Sequence, residues 1–253
     1  MVFEKRFMVG VTDVDFDDRI TNKAIIEKCS DAATLHTDTV EKAPGGEQLK
    51  GLGWVVLHWK LEVYFRPAVC EDVTVRTWSV YGTKLMAHRD CEMLDSSGKI
   101  CAKLSSVWAA LDKTTGLPVR LREEYLKPFG SEPDRQNFPD WKPDKGFVPD
   151  LPEAKTEEVR VMRHMIDVHR HVHNSYYVAI ANEALPSGVS QNDYDSVEIV
   201  FKKEIQPGSL VRVGFIPSPE ADYAVIDSAD GNVRHAVLIM RRRIGDIPEK
   251  GTP

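Results

Sequence analysis

Residues 15–26, DFDDRITNKAII, and residues 167–178, DVHRHVHNSYYV, are two copies of one segment. Each copy follows a short strand-like run and leads into a stretch whose apolar residues recur at helical spacing. The copies lie more than half a chain apart, which is too far for a solenoid repeat and indicates two pseudo-equivalent domains. Aligned without a gap, they share matching residues at three positions: Asp15 with Asp167, Ile20 with Val172, and Asn22 with Asn174.

The two copies differ in their chemistry. An imidazole can hold or transfer a proton near neutral pH, so histidines indicate a reactive segment. The second copy has histidines where the first has other polar residues: His169 for Asp17, His171 for Arg19, and His173 for Thr21. We therefore expect a reactive site in the second copy only.

A proline-rich segment divides the chain into two similar halves. Residues 127–156 contain six prolines and no sustained apolar period, which indicates an extended linker. The flanking segments, 1–126 and 157–253, each begin with a strand and a helix and continue as an antiparallel meander. Matching hairpin turns, DSSGK at 95–99 and DSADGN at 227–232, support this equivalence.

Periodicity predicts one helix in each half. The first spans residues 21–36 with Thr21 or Asn22 as its N-cap, and the second spans residues 174–185 with Asn174 at the cap. Strands are predicted at 3–13, 54–66, 72–80, 85–94, 100–111, 158–166, 194–205, 209–216, 221–227 and 233–244. The fold class is therefore α+β, with one helix for each antiparallel sheet to wrap.

Composition excludes several classes of protein. The net charge of -6 argues against broad nucleic-acid binding, which needs a basic surface. No apolar run approaches the roughly 18 residues of a membrane helix, and the N-terminus becomes acidic too early for a signal peptide. The four cysteines form no CxxC motif, which favours reduced thiols. We expect a cytoplasmic protein that binds neither nucleic acid nor membrane.

The second copy resembles the acyl-acyl-carrier-protein (acyl-ACP) thioesterases, of the plant plastid type with bacterial relatives. The family signature D-x-N-x-H-V-N-N at the start of a helix corresponds to DVHRHVHN at 167–174, followed by two tyrosines. A later strand ending in a basic pair and Glu corresponds to FKKE at 201–204. The resemblance extends over nearly the whole chain through Trp54, Thr77-Trp78, His88-Arg89-Asp90, Ser106-Val107-Trp108 and Leu111-Asp112.

The resemblance implies a tandem hot-dog fold, in which two antiparallel sheets each wrap a helix and lie side by side as an intramolecular pseudo-dimer. It implies hydrolysis of acyl-ACP thioesters to free fatty acids, which ends fatty acid synthesis, with acyl carrier protein as partner and no cofactor. It also allows a homodimer of tandem chains. On this view residues 1–126 hold the acyl chain and residues 157–253 carry the catalytic groups. An apolar helix face is either tunnel lining or core: Ile25, Ile26, Cys29 and Ala33.

Three positions depart from the family pattern. His169 replaces the Asn after the signature Asp, and His173 replaces the first Asn of the Asn-Asn pair. Ile205 follows the strand glutamate, where the plant enzymes often have Cys. All four cysteines lie in the other half, so a Cys-His-Asn mechanism lacks its nucleophile. Hydrolysis driven by carboxylates is favoured instead.

The chemistry of thioester hydrolysis assigns a role to each polar residue. Such a reaction needs a nucleophile, a base, and donors for the developing oxyanion. Asp167 is the expected nucleophile or base, and half burial would raise its pKa. His171 is its polar partner or proton shuttle, Glu204 orients the water or the imidazole, and His169 lies at the same site.

The start of the second helix is the expected substrate-binding element. Backbone N–H groups at a helix start lack intrahelical acceptors, so those around His173 and Asn174 would bind the oxyanion. In the first half Arg19 replaces His171 and Ala68 aligns with Glu204, so that half lacks both groups. Its expected role is to complete the interface and hold the acyl tail.

Other interpretations stay open. A His-x-His-x-His segment can bind a metal, but its place at a helix start and the family resemblance favour no metal. Basic residues at Lys202, Lys203 and 241–243 either contact an acidic carrier protein or are ordinary sheet-edge charges.

An acyl-CoA thioesterase and a catalytically silent module that binds acyl thioesters are the alternative functions. A hot-dog dehydratase is disfavoured because no His precedes a Pro-Gly loop.

Overall fold

Eleven strands form one continuous antiparallel sheet within residues 1–242, the part of the chain that this computed structural model describes. The strands are β1 (Phe3–Met8), β2 (Leu52–Val63), β3 (Asp72–Gly82), β4 (Ala87–Asp95), β5 (Ile100–Asp112), β6 (Pro118–Val119), β7 (Lys155–Arg160), β8 (Ser196–Phe201), β9 (Leu210–Ile216), β10 (Asp222–Ser228) and β11 (Arg234–Arg241). The helices are α1 (Asn22–Lys42), α2 (Glu123–Leu126) and α3 (Tyr176–Glu183).

The two halves join edge to edge through β2 and β8. The strand order is β1-β3-β4-β5-β2-β8-β11-β10-β9-β7, with β6 beside β5. Across the junction Trp59 lies opposite Ile199 and Leu61 opposite Val197, and all four side chains are buried. The predicted tandem hot-dog fold with its intramolecular pseudo-dimer is confirmed, and the two predicted sheets are continuous with each other.

Helix α1 begins where the sequence predicts. The hydroxyl of Thr21 accepts a hydrogen bond of 3.1 Å from the Ala24 N–H, so Thr21 is the N-cap. The helix continues past the predicted end at residue 36 to Lys42. Its inner face packs into the core, where Ile25, Ile26 and Cys29 are buried.

Helix α3 is shorter than predicted, and its N-cap is Ser175 rather than Asn174. A tight turn precedes it, because the Tyr176 N–H donates to the His173 carbonyl at 2.9 Å before the regular helix starts. Its end precedes Pro186, and a residue before proline disfavours helical conformation. No helix within residues 1–242 is long and apolar enough to span a membrane.

Several strands are shorter than the sequence predicts. The first ends at Met8, because residues 11–13 form a 3₁₀ turn, and β7 ends at Arg160. Strand β8 ends at Phe201, because the N–H groups of Lys202 and Lys203 both donate to the His235 carbonyl and the regular ladder stops. The predicted strand 233–244 ends at Arg241, and its residues 243–244 lie outside the described part of the chain.

The proline-rich segment is anchored to both halves. The Asn137 N–H donates to the Asp90 carboxylate at 2.6 Å, which ties the segment to β4. The Trp141 indole N–H donates to the Glu198 carboxylate at 2.9 Å, which ties it to β8. The segment therefore spans the sheet junction as well as connecting the halves. The predicted domain limits at residues 126 and 157 stay a prediction.

Replacing the tryptophan at the junction should destabilise the protein strongly. Trp59 is 2% exposed and packs edge-on against Phe201 at 5.2 Å between ring centroids. We expect Trp59→Ala to lower the free energy of unfolding by about 3–5 kcal/mol in urea titrations, because it opens a cavity in the core. Val55→Ala on the same strand is the control, since Val55 is 42% exposed. Equal losses in both variants would contradict this role for Trp59.

Asp90 should make stability depend on pH. Burial raises the pKa of Asp90 to about 6, although Ser105 and Asn137 donate hydrogen bonds to its carboxyl group. The folded state therefore holds this proton more tightly than the unfolded state, whose Asp pKa is about 3.9. Protonated Asp90 thereby contributes about 2–3 kcal/mol to the free energy of unfolding. This contribution is fully present below about pH 4 and is lost as the pH rises to about 6. Asp90→Asn should remove that part of the pH dependence in denaturation curves, and an unchanged dependence would refute the assignment.

Candidate active site

Asp167 begins a tight turn that places three predicted site residues together. Its N–H donates to the His171 carbonyl at 3.0 Å, and an antiparallel bridge joins Ile166 to Val172. Arg170 takes a left-handed conformation, with φ of 66°, to close the turn. Because the histidines lie on this turn, they do not form one face of a strand. Within residues 1–242 no group of three His, Cys, Asp or Glu side chains is arranged to hold a metal.

The Asp167 carboxylate contacts both neighbouring histidines. One oxygen accepts a hydrogen bond of 2.8 Å from the His169 N–H, and the other lies 3.6 Å from His171 Nδ1. The side chains of Asp167 and His171 are 13% and 23% exposed, so both reach solvent from a largely buried position. The His169 ring stacks on the His171 ring at 5.8 Å between centroids. These contacts bring together Asp167, His169 and His171, as predicted.

The environment of His171 selects one imidazole tautomer. Its Nδ1 lies 3.1 Å from the Val172 carbonyl, which can only accept a hydrogen bond. Nδ1 therefore carries the proton in the neutral ring, and Nε2 carries the lone pair. A lone pair on Nε2 can accept a proton from water.

Glu204 lies in an exposed loop after β8, not at the end of the strand as predicted. Its carboxylate accepts a hydrogen bond of 2.7 Å from the Gln206 amide. The loop touches the Asp167 turn one residue later, where the Val172 N–H donates to the Ile205 carbonyl at 3.0 Å. Glu204 is thus near the turn but is held by Gln206 in this structure.

Tyr177 anchors the Glu204 loop, a role that its position in the sequence did not predict. The Ile205 N–H donates to its hydroxyl at 3.2 Å. Burial raises the pKa of Tyr177, and the negative charges of Glu204 and Asp167 raise it further. Both carboxylates therefore lie near this phenol. The sequence signal was only an aromatic pair after the signature, which periodicity explains equally well as core.

The two predicted oxyanion donors differ in availability. The His173 N–H donates to the Met165 carbonyl at 2.9 Å, so the prediction that it is free is wrong. The Asn174 N–H has no acceptor in the described part of the chain, and its side chain is likewise unpaired there. The His173 ring instead contacts the Ser175 hydroxyl, with 2.9 Å between Nδ1 and Oγ. Asn174 is therefore the available donor at this helix start.

A cleft of about 640 Å³ lies between β7 and α3. Met165 and Tyr176 form part of its wall, so it begins two residues from Asp167. The helix face proposed as tunnel lining does not border this cleft. Ile25, Ile26 and Cys29 of that face belong to the hydrophobic core, while their contact with an acyl chain stays a prediction.

The first copy of the segment has the same backbone turn. The Asp15 N–H donates to the Arg19 carbonyl at 3.0 Å, as in the second copy. The Ile20 N–H donates to the Pro67 carbonyl, matching the bond from Val172 to Ile205. Arg66, rather than Ala68, therefore stands in the place of Glu204. The sequence alignment was wrong here by two residues: Pro67 lies four residues after the end of β2, and Ile205 lies four residues after the end of β8, so the two loops are equally long.

Contacts with the second half occupy the polar groups of the first copy. Arg66 donates to the Ile20 carbonyl at 3.1 Å, to Asn22 Oδ1 at 2.9 Å and to the Tyr194 carbonyl at 3.2 Å. The Asn192 amide donates to the Asp15 carboxylate. Burial lowers the pKa of Arg66 to about 10. The first copy thus joins the halves. It has no histidine at the position of His171 and no glutamate at the position of Glu204.

Comparison with known proteins places this geometry in a family. The model of the acyl-ACP thioesterase N-terminal domain matches residues 1–129, and that of the C-terminal domain matches residues 150–236. The chain belongs to the acyl-ACP thioesterase family. The resemblance inferred from the signature at 167–174 is therefore confirmed.

Individual relatives are distant in sequence but close in fold. The chain is 21% identical over 227 residues to an oleoyl-acyl carrier protein thioesterase of Arabidopsis thaliana, covering 83% of this chain and 61% of the relative. It spans about three fifths of the length of the curated relatives that it matches. An acyl-ACP thioesterase from Bacteroides thetaiotaomicron aligns with a TM-score of 0.81 at 18% identity, covering 96% of this chain and 98% of that one.

A 12:0-ACP thioesterase from Umbellularia californica shows the same similarity of fold. It aligns with a TM-score of 0.79 at 18% identity, covering 96% of this chain and 97% of that one. Both halves of the chain therefore share the fold of these thioesterases over 96% of its length.

Removing the Arg66 side chain should destabilise the family fold at the junction of its halves. We expect Arg66→Met to lower the free energy of unfolding by about 2–4 kcal/mol in urea titrations, because three buried acceptors lose a charged donor. Arg76→Met is the matched control, since Arg76 makes a more exposed ion pair with Glu4. Such surface pairs contribute about 0–1 kcal/mol. A similar loss in both variants would show that Arg66 does not join the halves.

Proposed function

We propose that this chain hydrolyses fatty acyl thioesters of acyl carrier protein and releases the free fatty acid, which ends chain elongation. Family membership supports the reaction class. The observation that carries the proposal is the partly exposed Asp167 carboxylate with His171 Nδ1 at 3.6 Å, in the second copy of the repeat only. The first copy has Arg19 at the matching position.

The geometry supports attack by water on the thioester carbonyl. Asp167 accepts one hydrogen bond from the water, and Nε2 of His171 takes the other hydrogen as the water oxygen bonds to the carbonyl carbon. That proton passes to sulfur as the carbon–sulfur bond breaks, so the acid and a free thiol leave. The Asn174 N–H stabilises the negative charge that develops on the carbonyl oxygen.

Direct attack by Asp167 is the second route to the same products. A carboxylate oxygen would bond to the carbonyl carbon, expel the thiolate and form an anhydride that water then hydrolyses. After a single turnover in ¹⁸O-water, label found in Asp167 would demonstrate the anhydride route. Water attack puts all the label into the fatty acid, whereas an anhydride opened at its aspartyl carbon leaves the label in Asp167.

Glu204 and the two lysines before it are exposed on the loop after β8. In this proposal Glu204 leaves Gln206 and orients the water or the imidazole. Lys202 and Lys203 are exposed on the same loop, where they can contact an acidic carrier protein. Arg241 is already paired with Glu198 at 2.9 Å, and Arg243 of the predicted basic cluster lies outside the described residues. A cytoplasmic location and a homodimer stay predictions.

Thiol release from acyl-ACP substrates of several chain lengths tests the proposal. We expect Asp167→Asn to lower kcat at least about 100-fold, the smallest contribution typical of general acid–base catalysis. Glu204→Ala should lower it about tenfold, the value of one well-placed hydrogen bond to a charged group. Asp15→Asn, the equivalent change in the first copy, is the matched control and should keep normal turnover.

The same assay separates the alternatives. Faster release from acyl-CoA than from acyl-ACP, at equal chain length, would indicate an acyl-CoA thioesterase. Tight acyl binding without thiol release would indicate a silent binding module. Near-normal turnover by folded Asp167→Asn would rule out the assigned site.

A further inference from the structure

Ser175 connects the candidate site to the other half of the chain. Its side chain is 0% exposed. Its hydroxyl oxygen lies 2.9 Å from His173 Nδ1 and 2.9 Å from the Glu27 carboxylate, which belongs to α1 of the N-terminal half. The three residues therefore form one hydrogen-bonded chain, the Glu27–Ser175–His173 relay, across the boundary between the halves.

The direction of each hydrogen bond in this chain follows from the groups involved. The same Glu27 oxygen accepts a hydrogen bond from the Lys23 ammonium at 2.5 Å, and an ionised carboxylate only accepts. The single hydroxyl hydrogen of Ser175 must therefore point to Glu27. Its oxygen is left to accept from His173, so Nδ1 of His173 carries the proton.

A second contact to His173 Nδ1 competes with the hydrogen bond from the Ser175 hydroxyl, but it is weaker. The Ser175 N–H lies 3.4 Å from His173 Nδ1 and would need the opposite tautomer. That distance is longer than a normal N–H···O or N–H···N bond, whereas the 2.9 Å contact is ideal. The relay through the hydroxyl therefore decides the tautomer.

The relay leaves His173 Nε2 as a hydrogen-bond acceptor. No residue in the described part of the chain bonds to Nε2. Burial lowers the pKa of His173, and Lys23 lowers it further, against the opposing charges of Asp167, Glu27 and Asp31. A neutral ring protonated on Nδ1 accepts but cannot donate at Nε2. The family resemblance places an Asn amide here, which does both.

We propose that Glu27 positions His173 through Ser175, so that Nε2 of His173 accepts a hydrogen bond from the attacking water beside Asp167. This rests on the proposed thioester hydrolysis and adds a group from the N-terminal half to the site. Glu27 is a positioning residue, because it acts through Ser175 and His173. Asp167 and His173 would then orient the two hydrogens of one resting water molecule. The hydrogen bonded to Asp167 stays on the water oxygen, and the one bonded to His173 moves to Nε2 of His171 as that oxygen attacks.

The three residues are not a serine-nucleophile triad. In such a triad the histidine lies between the serine and the acid. Here the serine lies between the histidine and the acid, and its hydroxyl is buried and bonded on both sides. The arrangement therefore orients an imidazole and does not activate a serine.

The tautomer of His173 is the first test, and it requires no catalytic activity. Imidazole ¹⁵N spectra of the full chain distinguish Nδ1–H from Nε2–H, and His173→Asn assigns the signals by their loss. We expect Nδ1–H in wild type and a shift toward Nε2–H in both Glu27→Ala and Ser175→Ala. Asp38→Asn is the matched control, because Asp38 and Lys42 form a more exposed i,i+4 pair on the same helix. Nε2–H in wild type, or Nδ1–H kept in both variants, would overturn the relay.

Thiol release is the second test. We expect Glu27→Ala to lower kcat about 10- to 100-fold with little change in KM, since the lost interaction orients the nucleophile. Asp38→Asn should behave as wild type. Unchanged kcat in folded Glu27→Ala would overturn the role in catalysis. Absence of thiol release in wild type would contradict the proposed function, while the ¹⁵N spectra would still decide the relay.

Discussion

The backbone pairing of β2 with β8 makes one sheet of the two halves, and the contacts between the halves follow from it. Five residue pairs, from His58 opposite Val200 to Glu62 opposite Ser196, convert two half-sheets into one. Each half-sheet thereby covers an edge strand of the other, which would otherwise present unpaired backbone N–H and C=O groups. The pairing also sets the start of each helix against the other half. Asn22 donates to the Gln191 carbonyl at 2.7 Å, and Ser175 donates to Glu27. The candidate site and the interface between the halves therefore depend on the same strand register.

The repeat uses one backbone turn for two purposes. In both copies the aspartate N–H closes the turn, and the residue before the closing position has positive φ, Asp18 at 57° and Arg170 at 66°. In the first copy Arg66 and Asn192 occupy the polar groups, which stabilises the junction. In the second copy, no residue among 1–242 bonds to Nε2 of His171 or to the Asn174 N–H. A duplicated unit can hold the fold with one copy and leave the other open for chemistry.

Local patterns predicted the elements well but their ends less well. The strands of the first meander and the cap at Thr21 followed from alternation and capping chemistry. The end of β8 did not, because the His235 carbonyl on a neighbouring strand takes both the Lys202 and Lys203 N–H groups. The N-cap at Ser175 likewise depends on a turn through His173, which helical periodicity does not encode. The strand end is decided by a partner distant in sequence, whereas the helix start is decided by a local turn.

The amino-acid sequence alone predicted a duplicated fold unit, reactive residues in its second copy, and Asp167 with three histidines at the start of the second helix. These features follow from residue order within short segments, whose backbone geometry is local. Three-dimensional packing was needed to show that Arg66 stands in the place of Glu204, that the His173 N–H is occupied, and that Ser175 bonds to Glu27 of the other half. These depend on strand register, because Glu27 and Ser175 are 148 positions apart and meet across the junction that β2 and β8 form.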